Sequence, residues 1–342
     1  MNTIVDLDRR EVPSMTALDC TLPNSESAVD EDVIHSLNRE FKAVRVGDKI
    51  WCASFNPQTL ALSTLHPFSS FWLRLANRPH VQVGGKSIDQ ARYFRDHPER
   101  ADAEIVFEPF RETRPGTLNL WIGFKIEPKQ GPHDLISSHI LNIICRGNSA
   151  RRDRFEDLLT WAFTNPDHDK RLPISLVLLG SNGEARALLE RLLCKFFHHD
   201  NYVRRYGASV SHCIPQNLAN QALILLDECS NGGDKNGKRR QKLHRRIAAP
   251  SSSIRDRFVP DITVANHALV LISGGLDWIV PASEDPKRYF VITMNGVKYG
   301  DDLWEALWEE IDTCAAHYLY HILSRQLVHS LDELRHSMEL ED

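Results

Sequence analysis

One segment limits the folds open to this chain more than any other. ISLVLL at 174–179 runs directly into Gly180-Ser181-Asn182-Gly183-Glu184-Ala185-Arg186-Ala187, and LLERLL follows at 188–193. A short continuous apolar run reads as a strand buried on both faces. Ala185, Leu188, Leu189, Leu192, Leu193 and Phe196 share one face of a helix expected over 184–197. Strand, glycine-bearing turn and helix in this order make a phosphate loop, G-x-x-x-x-G-K-[ST]. Its backbone N–H groups cradle phosphates, its lysine reaches the outer phosphates and its hydroxyl binds Mg²⁺. Here the second glycine is Ala185, the lysine is Arg186 and the hydroxyl is Ala187. Gly180, Gly183, Glu184, Ala185, Arg186 and Ala187 are therefore candidate nucleotide-binding residues of a loop whose frame survives and whose chemistry is altered.

Other apolar runs extend the pattern. ALILL at 222–226, ALVLI at 268–272 and YFVIT at 289–293 read as further buried strands, and a helix is expected over 302–327. Alternating strands and helices predict an α/β fold with a parallel sheet. At 342 residues the chain is long enough for two or three domains. The divisions expected are a flexible polar tail at 1–30, a smaller N-terminal α+β domain at 31–133, the loop-bearing core at 134–300 and a C-terminal helical segment at 301–342. Within the N-terminal domain VRVGDKIW at 44–51 reads as two strands around a Gly-Asp turn, and 88–97 has weak helical spacing.

Candidate chemistry gathers at strand ends. Leu223-Ile224-Leu225-Leu226 is followed by Asp227 and Glu228, the Walker B form, in which the aspartate helps to hold Mg²⁺ and the glutamate orients the attacking water. After the run at 268–272 come Ser273-Gly274-Gly275, glycines where ring NTPases carry a polar sensor. Arg288, just before the run at 289–293, is a candidate finger toward a neighbouring subunit's phosphate, and equally a surface residue at a strand start. Asp227, Glu228 and Arg288 are the catalytic candidates, with Asp227 the Mg²⁺ ligand.

Net charge is −5, so contact with nucleic acid requires a local basic patch. One exists: Lys235, Lys238, Arg239, Arg240, Lys242, Arg245 and Arg246 fall within twelve residues uninterrupted by an acid. Arg255 and Arg257 lie in a hairpin expected over 254–264. This density suits contacts to a phosphate backbone, although charge runs also form plain solvated helix faces.

Several classes find little support. The seven cysteines form no C-x-x-C pair, which points to a reducing cytoplasm and away from structural zinc. His198-His199 and His212-Cys213 complete no zinc-ligand spacing. No G-x-S-x-G elbow surrounds Ser175, Ser181 or Ser211. No apolar run approaches the ~18 residues of a membrane span, and the N-terminus lacks a signal-peptide core. The tryptophans, among them Trp72, Trp121, Trp161 and Trp278, read as core.

Asn119-Leu120-Trp121-Ile122-Gly123-Phe124 with Glu127-Pro128, Phe107-Glu108-Pro109 upstream, and residues 273–280 followed by Arg288-Tyr289-Phe290 occur in an order that resembles phage and plasmid primase-helicase proteins, relatives of superfamily III helicases. The likeness spans residues 38–327. It implies a P-loop AAA+-like core, usually a ring, binding ATP between subunits and moving along DNA. Arg186 and Ala187 stand where that family has Lys and Ser/Thr, and Gly275 where it has the sensor Asn. Asp227, Glu228 and Arg288 are retained. No primase domain is visible in the first 130 residues.

The expectation is therefore a helicase-like protein of a mobile element that binds DNA through its phosphates. Its ATP and Mg²⁺ site should be weak or inactive, and it should act as a homo-oligomer or in a ring with a paralogue. Two alternatives stay open: a working ATP-driven translocase using Arg186 in the loop, and a non-enzymatic adaptor that keeps the shape to assemble with other proteins. Arg186 should either fill the phosphate site or pair with Asp227 or Glu228, because a buried cation needs a partner.

Overall fold

The computed structural model describes residues 25–46, 49–55, 62–165, 174–180, 183–206, 220–227, 238–254, 261–274, 289–294 and 299–336. Helix α1 (Ser25–Glu40) begins inside the stretch read as a tail; residues 1–24 lie outside the described part.

Two sheets organise the chain. The first has the order β3-β2-β1-β6-β7, from β1 (Phe41–Val46), β2 (Lys49–Phe55), β3 (Leu62–Pro67), β6 (Asp102–Val106) and β7 (Thr117–Asn119). β1 and β2 pair antiparallel, as the Gly-Asp turn predicts, while β6 runs parallel to β1. The small hairpin β4 (Val81–Val83) and β5 (Lys86–Ile88) lies between helices α2 (Phe68–Leu75) and α3 (Gln90–Asp96) in sequence. Phe41, Phe71, Phe94, Ile34 and Leu37 form an apolar cluster on one face of this sheet. Val44, Val46, Trp51 and Ile105 join the main core. Trp72, expected inside, is 53% exposed, because the inward side of α2 carries Phe68, Phe71 and Leu75 instead.

The second sheet is parallel throughout, in the order β14-β8-β13-β10-β9. Its strands are β8 (Ser175–Leu179), β9 (Tyr202–Tyr206), β10 (Leu223–Asp227), β13 (Leu269–Gly274) and β14 (Tyr289–Thr293). The runs at 174–179, 222–226 and 268–272 are thus neighbouring strands, with β13 between the loop strand and the acid-bearing strand. Leu176, Leu178, Leu223, Leu225 and Leu271 point to one face, where α5 (Ser149–Thr164), α6 (Gly183–Phe196) and α8 (Asp301–Ser324) bury Phe155, Leu189, Leu193, Tyr318 and Leu319 against them. Val177, Ile224, Leu226, Val270 and Ile272 fill the other face, joined by Ile247 of α7 (Lys238–Ala248). Hairpin β11 (Ser251–Ile254) and β12 (Ile262–Ala265) follows, and Ile262 and Val264 enter the main core.

The N-L-W segment is a structural joint between the sheets. Asn119 Oδ1 accepts from the N–H groups of Glu108 and Trp121, and its Nδ2 donates to Glu108 O. Asn201, fully buried, donates to Leu120 O and Asn220 O and accepts from Ile122 N–H. Trp121 packs edge-on against Phe110, Phe124 and Phe197.

The C-terminal part is seated along helix α4 (Asp134–His139), its π-helical continuation Ile140–Ile144, and α5. Gly131 permits one close approach, since a Cβ there would stand 2.6 Å from the His317 ring. The final helix ends at Ser324 rather than 327, and a short helix α9 (Leu331–His336) follows.

Candidate functional site at the carboxyl edge of the parallel sheet

Because all five strands run the same way, their carboxyl ends share one edge, the place where open α/β sheets put ligands. Register brings Asp227 opposite Ser273, and Gly274 opposite Leu179, so the turn after β8 and the acid after β10 lie on that edge together. Gly180 makes the turn with φ +146°, a conformation suited to glycine, and its N–H donates to Gly274 O at 3.2 Å.

The turn differs from a phosphate loop in three respects. Of the four positions between the motif's glycines, Gly183 and Glu184 are already helical, which shortens the stretch able to wrap a phosphate. Ala185 turns its side chain into the main core, and its carbonyl accepts from His139 Nε2 at 3.2 Å. Arg186 is 5% exposed and curls back over the turn, Nη1 donating to Gly180 O at 3.2 Å. Its Nη2 would lie 3.5 Å from a Cβ on Gly183. A guanidinium thus occupies the first turn of α6, where the helix dipole favours an anion.

His139 is buried, and burial drops its pKa to about 4, partly countered by the Ala185 carbonyl. The neutral ring has one N–H. With Nε2–H donated to Ala185 O, Nδ1 accepts from the Tyr299 hydroxyl at 3.2 Å.

Asp227 is held by groups that the sequence did not single out. Its Oδ1 lies 2.9 Å from Ser273 Oγ, and its Oδ2 accepts from Arg204 Nη2 at 2.8 Å. Ser273 Oγ is also 2.8 Å from Oε1 of Glu190 on α6, and Arg204 Nη2 stands 2.8 Å from Glu190 Oε2. A serine hydroxyl has a single proton, so Ser273 donates to one of the two carboxyl groups at a time. Burial, then the charge of Asp227, push the Glu190 carboxyl above its ordinary pKa, while the Ser273 hydroxyl, Arg204 and Arg186 pull it back. The Ser273 hydroxyl stands within donating distance of both Glu190 Oε1 and Asp227 Oδ1 and bridges the two acids. One guanidinium faces both acids.

Fit to a Mg²⁺–phosphate complex is poor in this arrangement. Ala187 offers no hydroxyl, and the outer oxygen of Asp227 is taken by Arg204. Among the described residues no group of three metal-ligating side chains stands together.

Other expected site residues divide by position. Glu228, Arg255, Arg257, Gly275 and Arg288 lie outside the described residues. Lys238, Arg239 and Arg240 open helix α7, whose first turn contains no acid. Lys242 and Arg245 are exposed on it, and Arg246 is half-buried. Asn266 Nδ2 caps that helix by donating to Arg246 O and Ala249 O. The basic helix is on the sheet face opposite α6. Strand β9 and its Arg204 escaped the sequence reading because YVRRY is short, half-polar and at the sheet edge. Ser273 was read past in favour of the glycines after it. Among the described residues no helix is long and apolar enough to cross a membrane.

By sequence the chain matches no protein-family profile and no curated protein. In fold it is similar to the C-terminal region of NrS-1. The apo structure of NrS-1 residues 305–718 gives a TM-score of 0.60 at 13% identity, covering 92% of this chain and 72% of that one. The A form apo structure of the same region gives 0.63 at 14% identity, covering 88% and 70%. At these identities the likeness is one of fold.

Proposed function

We propose that this chain is a helicase-like, nucleic-acid-binding core built on a P-loop fold whose ATP site is weak or inactive. The observation that carries the reading is the placement of Arg186. The loop strand, the turn, the helix N-terminus and Asp227 come together as a nucleotide site requires, yet a buried guanidinium lies where phosphate would be held. Arginine is a planar fork rather than the compact ammonium a phosphate loop uses, so it does not replace lysine there. Mg²⁺·ATP titrated into the full chain by calorimetry is expected to give no micromolar binding. Micromolar affinity, or DNA-stimulated turnover abolished by Glu228→Gln, would establish the translocase alternative instead.

Nucleic acid is the proposed partner of helix α7. Lys238, Arg239 and Arg240 sit at a helix N-terminus with no acid in the first turn, an end whose dipole already repels cations. A bound polyanion relieves that repulsion. Phosphate contacts make affinity fall steeply with salt, each contributing about 0.9 to the logarithmic slope. Changing Arg239, Arg240, Arg245 and Arg246 together to Ala should flatten that slope on single- and double-stranded DNA. Unchanged binding across a salt series would leave the helix a solvated face and favour the adaptor. Assembly with further copies, or with a paralogue carrying an intact loop, belongs to the same proposal, as does the role of Arg288 as a finger.

A further inference from the structure

Helix α4 is six residues long and has a histidine at each end. At its far end His139 Nε2 donates to Ala185 O and so supports the turn of the candidate site. At its near end His133 is the N-cap, half-buried against the C-terminal helix α8. The connector that enters α4 is laid along α8 by a short series of contacts. Lys129 N–H donates to Ala316 O at 3.2 Å, His317 Nδ1 donates to Pro132 O at 2.8 Å, and Gly131 passes beside the His317 ring. The His133 ring lies 4.9 Å from that of His321, and 5.6 Å edge-on from that of Tyr318. Glu310, also on α8, accepts from the N–H groups of Leu135 and Ile136 and caps the start of α4.

We propose that the His133–His321 pair is an acid-released latch between the connector and helix α8, and that its release passes through α4 to the turn that His139 supports. Two neutral imidazoles stack as any aromatic pair does, whereas two imidazolium rings in contact repel. The charges around the pair oppose a proton on His133. Asp134 on its own helix and Glu310 on α8 favour one, but burial and then the charge of His321 outweigh them and lower its pKa. Glu156 on α5 faces His321 at 3.3 Å and is shared with Tyr318 and Arg325. His317 is engaged with Pro132 O, and Lys129 is exposed. His133 therefore takes its proton less readily folded than unfolded. Its contact with α8 is fully present above pH ~6.5 and is lost as pH falls through the lower, folded value. A helix of six residues does not persist unaided, so loosening its first turn frees its last. With a pKa of about 4, His139 stays neutral while the latch titrates, and the two ends of α4 answer at different pH.

Neither nucleotide nor DNA enters the test, so its outcome is independent of both. Hydrogen exchange of the full chain is followed by mass spectrometry at pH 7.5 and pH 5.5, corrected for intrinsic exchange rates. A single histidine that titrates at about 6.5 only when the latch is open favours opening by at most about tenfold over this range. Peptides covering 129–139 should lose protection several-fold, up to that limit, while those covering 155–163 of α5 keep theirs. His133→Phe keeps a ring against His321 and Tyr318 but takes no proton, and its protection at the two pH values should agree within about twofold. Should His133→Phe lose its circular-dichroism signature, His321→Gln carries the test. It keeps a donor toward Glu156 without a charge, and should lose less protection on acidification than the parent. Equal protection of 129–139 at both pH values in the parent, an equal loss across 155–163, or a loss as large as the parent's in either folded variant overturns the proposal.

Discussion

Two clusters of buried carboxyl groups are each matched to an arginine, and they are built for different purposes. At the sheet edge Arg204, half-exposed, brings one nitrogen to Asp227 and Glu190 and leaves Glu190 Oε2 without a hydrogen bond. Beneath the C-terminal helix Arg325, with its side chain only 13% exposed, spreads its whole fork over α5. Nε meets Asp157 at 3.0 Å, Nη1 meets Glu156 at 3.1 Å and Nη2 meets Asp153 at 3.2 Å. The two buried acids there, Asp157 and Glu156, are fully served. Asp157, 0% exposed, also accepts from the N–H groups of Val328 and His329 and from His329 Nδ1. Glu156 is met by Tyr318 and His321. One cluster is a clamp in which every oxygen of Asp157 and Glu156 has a partner, and the other pairs two buried acids with a half-exposed cation. Ionic pairing alone does not mark a structural device; saturation and the exposure of the cation do.

Breaking the clamp should produce the largest effect. Arg325→Met keeps an apolar stem of similar length and leaves Asp157 and Glu156 buried without their shared counter-charge. Removing one partner of a buried pair typically costs about 3–5 kcal/mol. Chemical denaturation of the parent and Arg325→Met should show a loss in that range, with the C-terminal helix released from α5. A loss within error of zero would mean that the remaining donors, the Val328 and His329 N–H groups, Tyr318 and His321, already satisfy the acids, and that the clamp is no more essential than the edge.

Acid should weaken the join between turn and C-terminal half without touching either arginine. His139 bridges Ala185 O and the Tyr299 hydroxyl, and its pKa is about 4 when folded against about 6.5 when unfolded. The folded state therefore binds fewer protons, so this contribution is intact above pH ~6.5 and is lost as pH falls toward ~4. Integrated over that window the loss is about 3 kcal/mol. Denaturation midpoints of the parent and His139→Gln, compared between pH 7 and pH 4, isolate it: the variant should have the shallower slope. Parallel slopes would show that the ring accepts a proton in place, and that the floor of the site yields as readily as its rim.

The two clusters were unequally legible in the sequence. Strands β8, β10, β13 and β14 announced themselves as all-apolar runs, because a parallel sheet covered on both faces has no polar positions to interrupt them. Helix α6 was legible from its apolar stripe, and with it the shared edge of Gly180 and Asp227. Strand β9 was not, since an edge strand with one wet side carries Arg204, Arg205 and Tyr206 and loses the signal. Glu190 looked like the polar side of an amphipathic helix; only the fold shows it buried against Ser273. The clamp left no sequence trace, because Asp153, Glu156 and Asp157 are separated from Arg325 by more than 160 residues and no local pattern links them. Trp72 shows the converse: an aromatic in an apolar run read as core, but a two-turn helix buries only one side.

The smallest stability effect should come from Arg204→Gln, and it is the most useful of the set. Half of that side chain is in water, so its attraction to Asp227 is screened and its release returns conformational freedom. Glu190 loses an ion pair with Arg204 but no hydrogen bond, since its Oε2 accepts none from the guanidinium. Asp227 keeps the Ser273 hydroxyl and gains access to solvent on the side the guanidinium leaves. The expected cost is under about 1 kcal/mol by the same denaturation measurement, several-fold below that of Arg325→Met. A cost equal to that of Arg325→Met would make Arg204 a structural rivet, and the contrast between a clamp and a removable cation would collapse. A small cost would place the two clusters in different classes, since removal of a buried clamp exposes charge that the fold needs, whereas removal of a half-exposed cation lets solvent take its place.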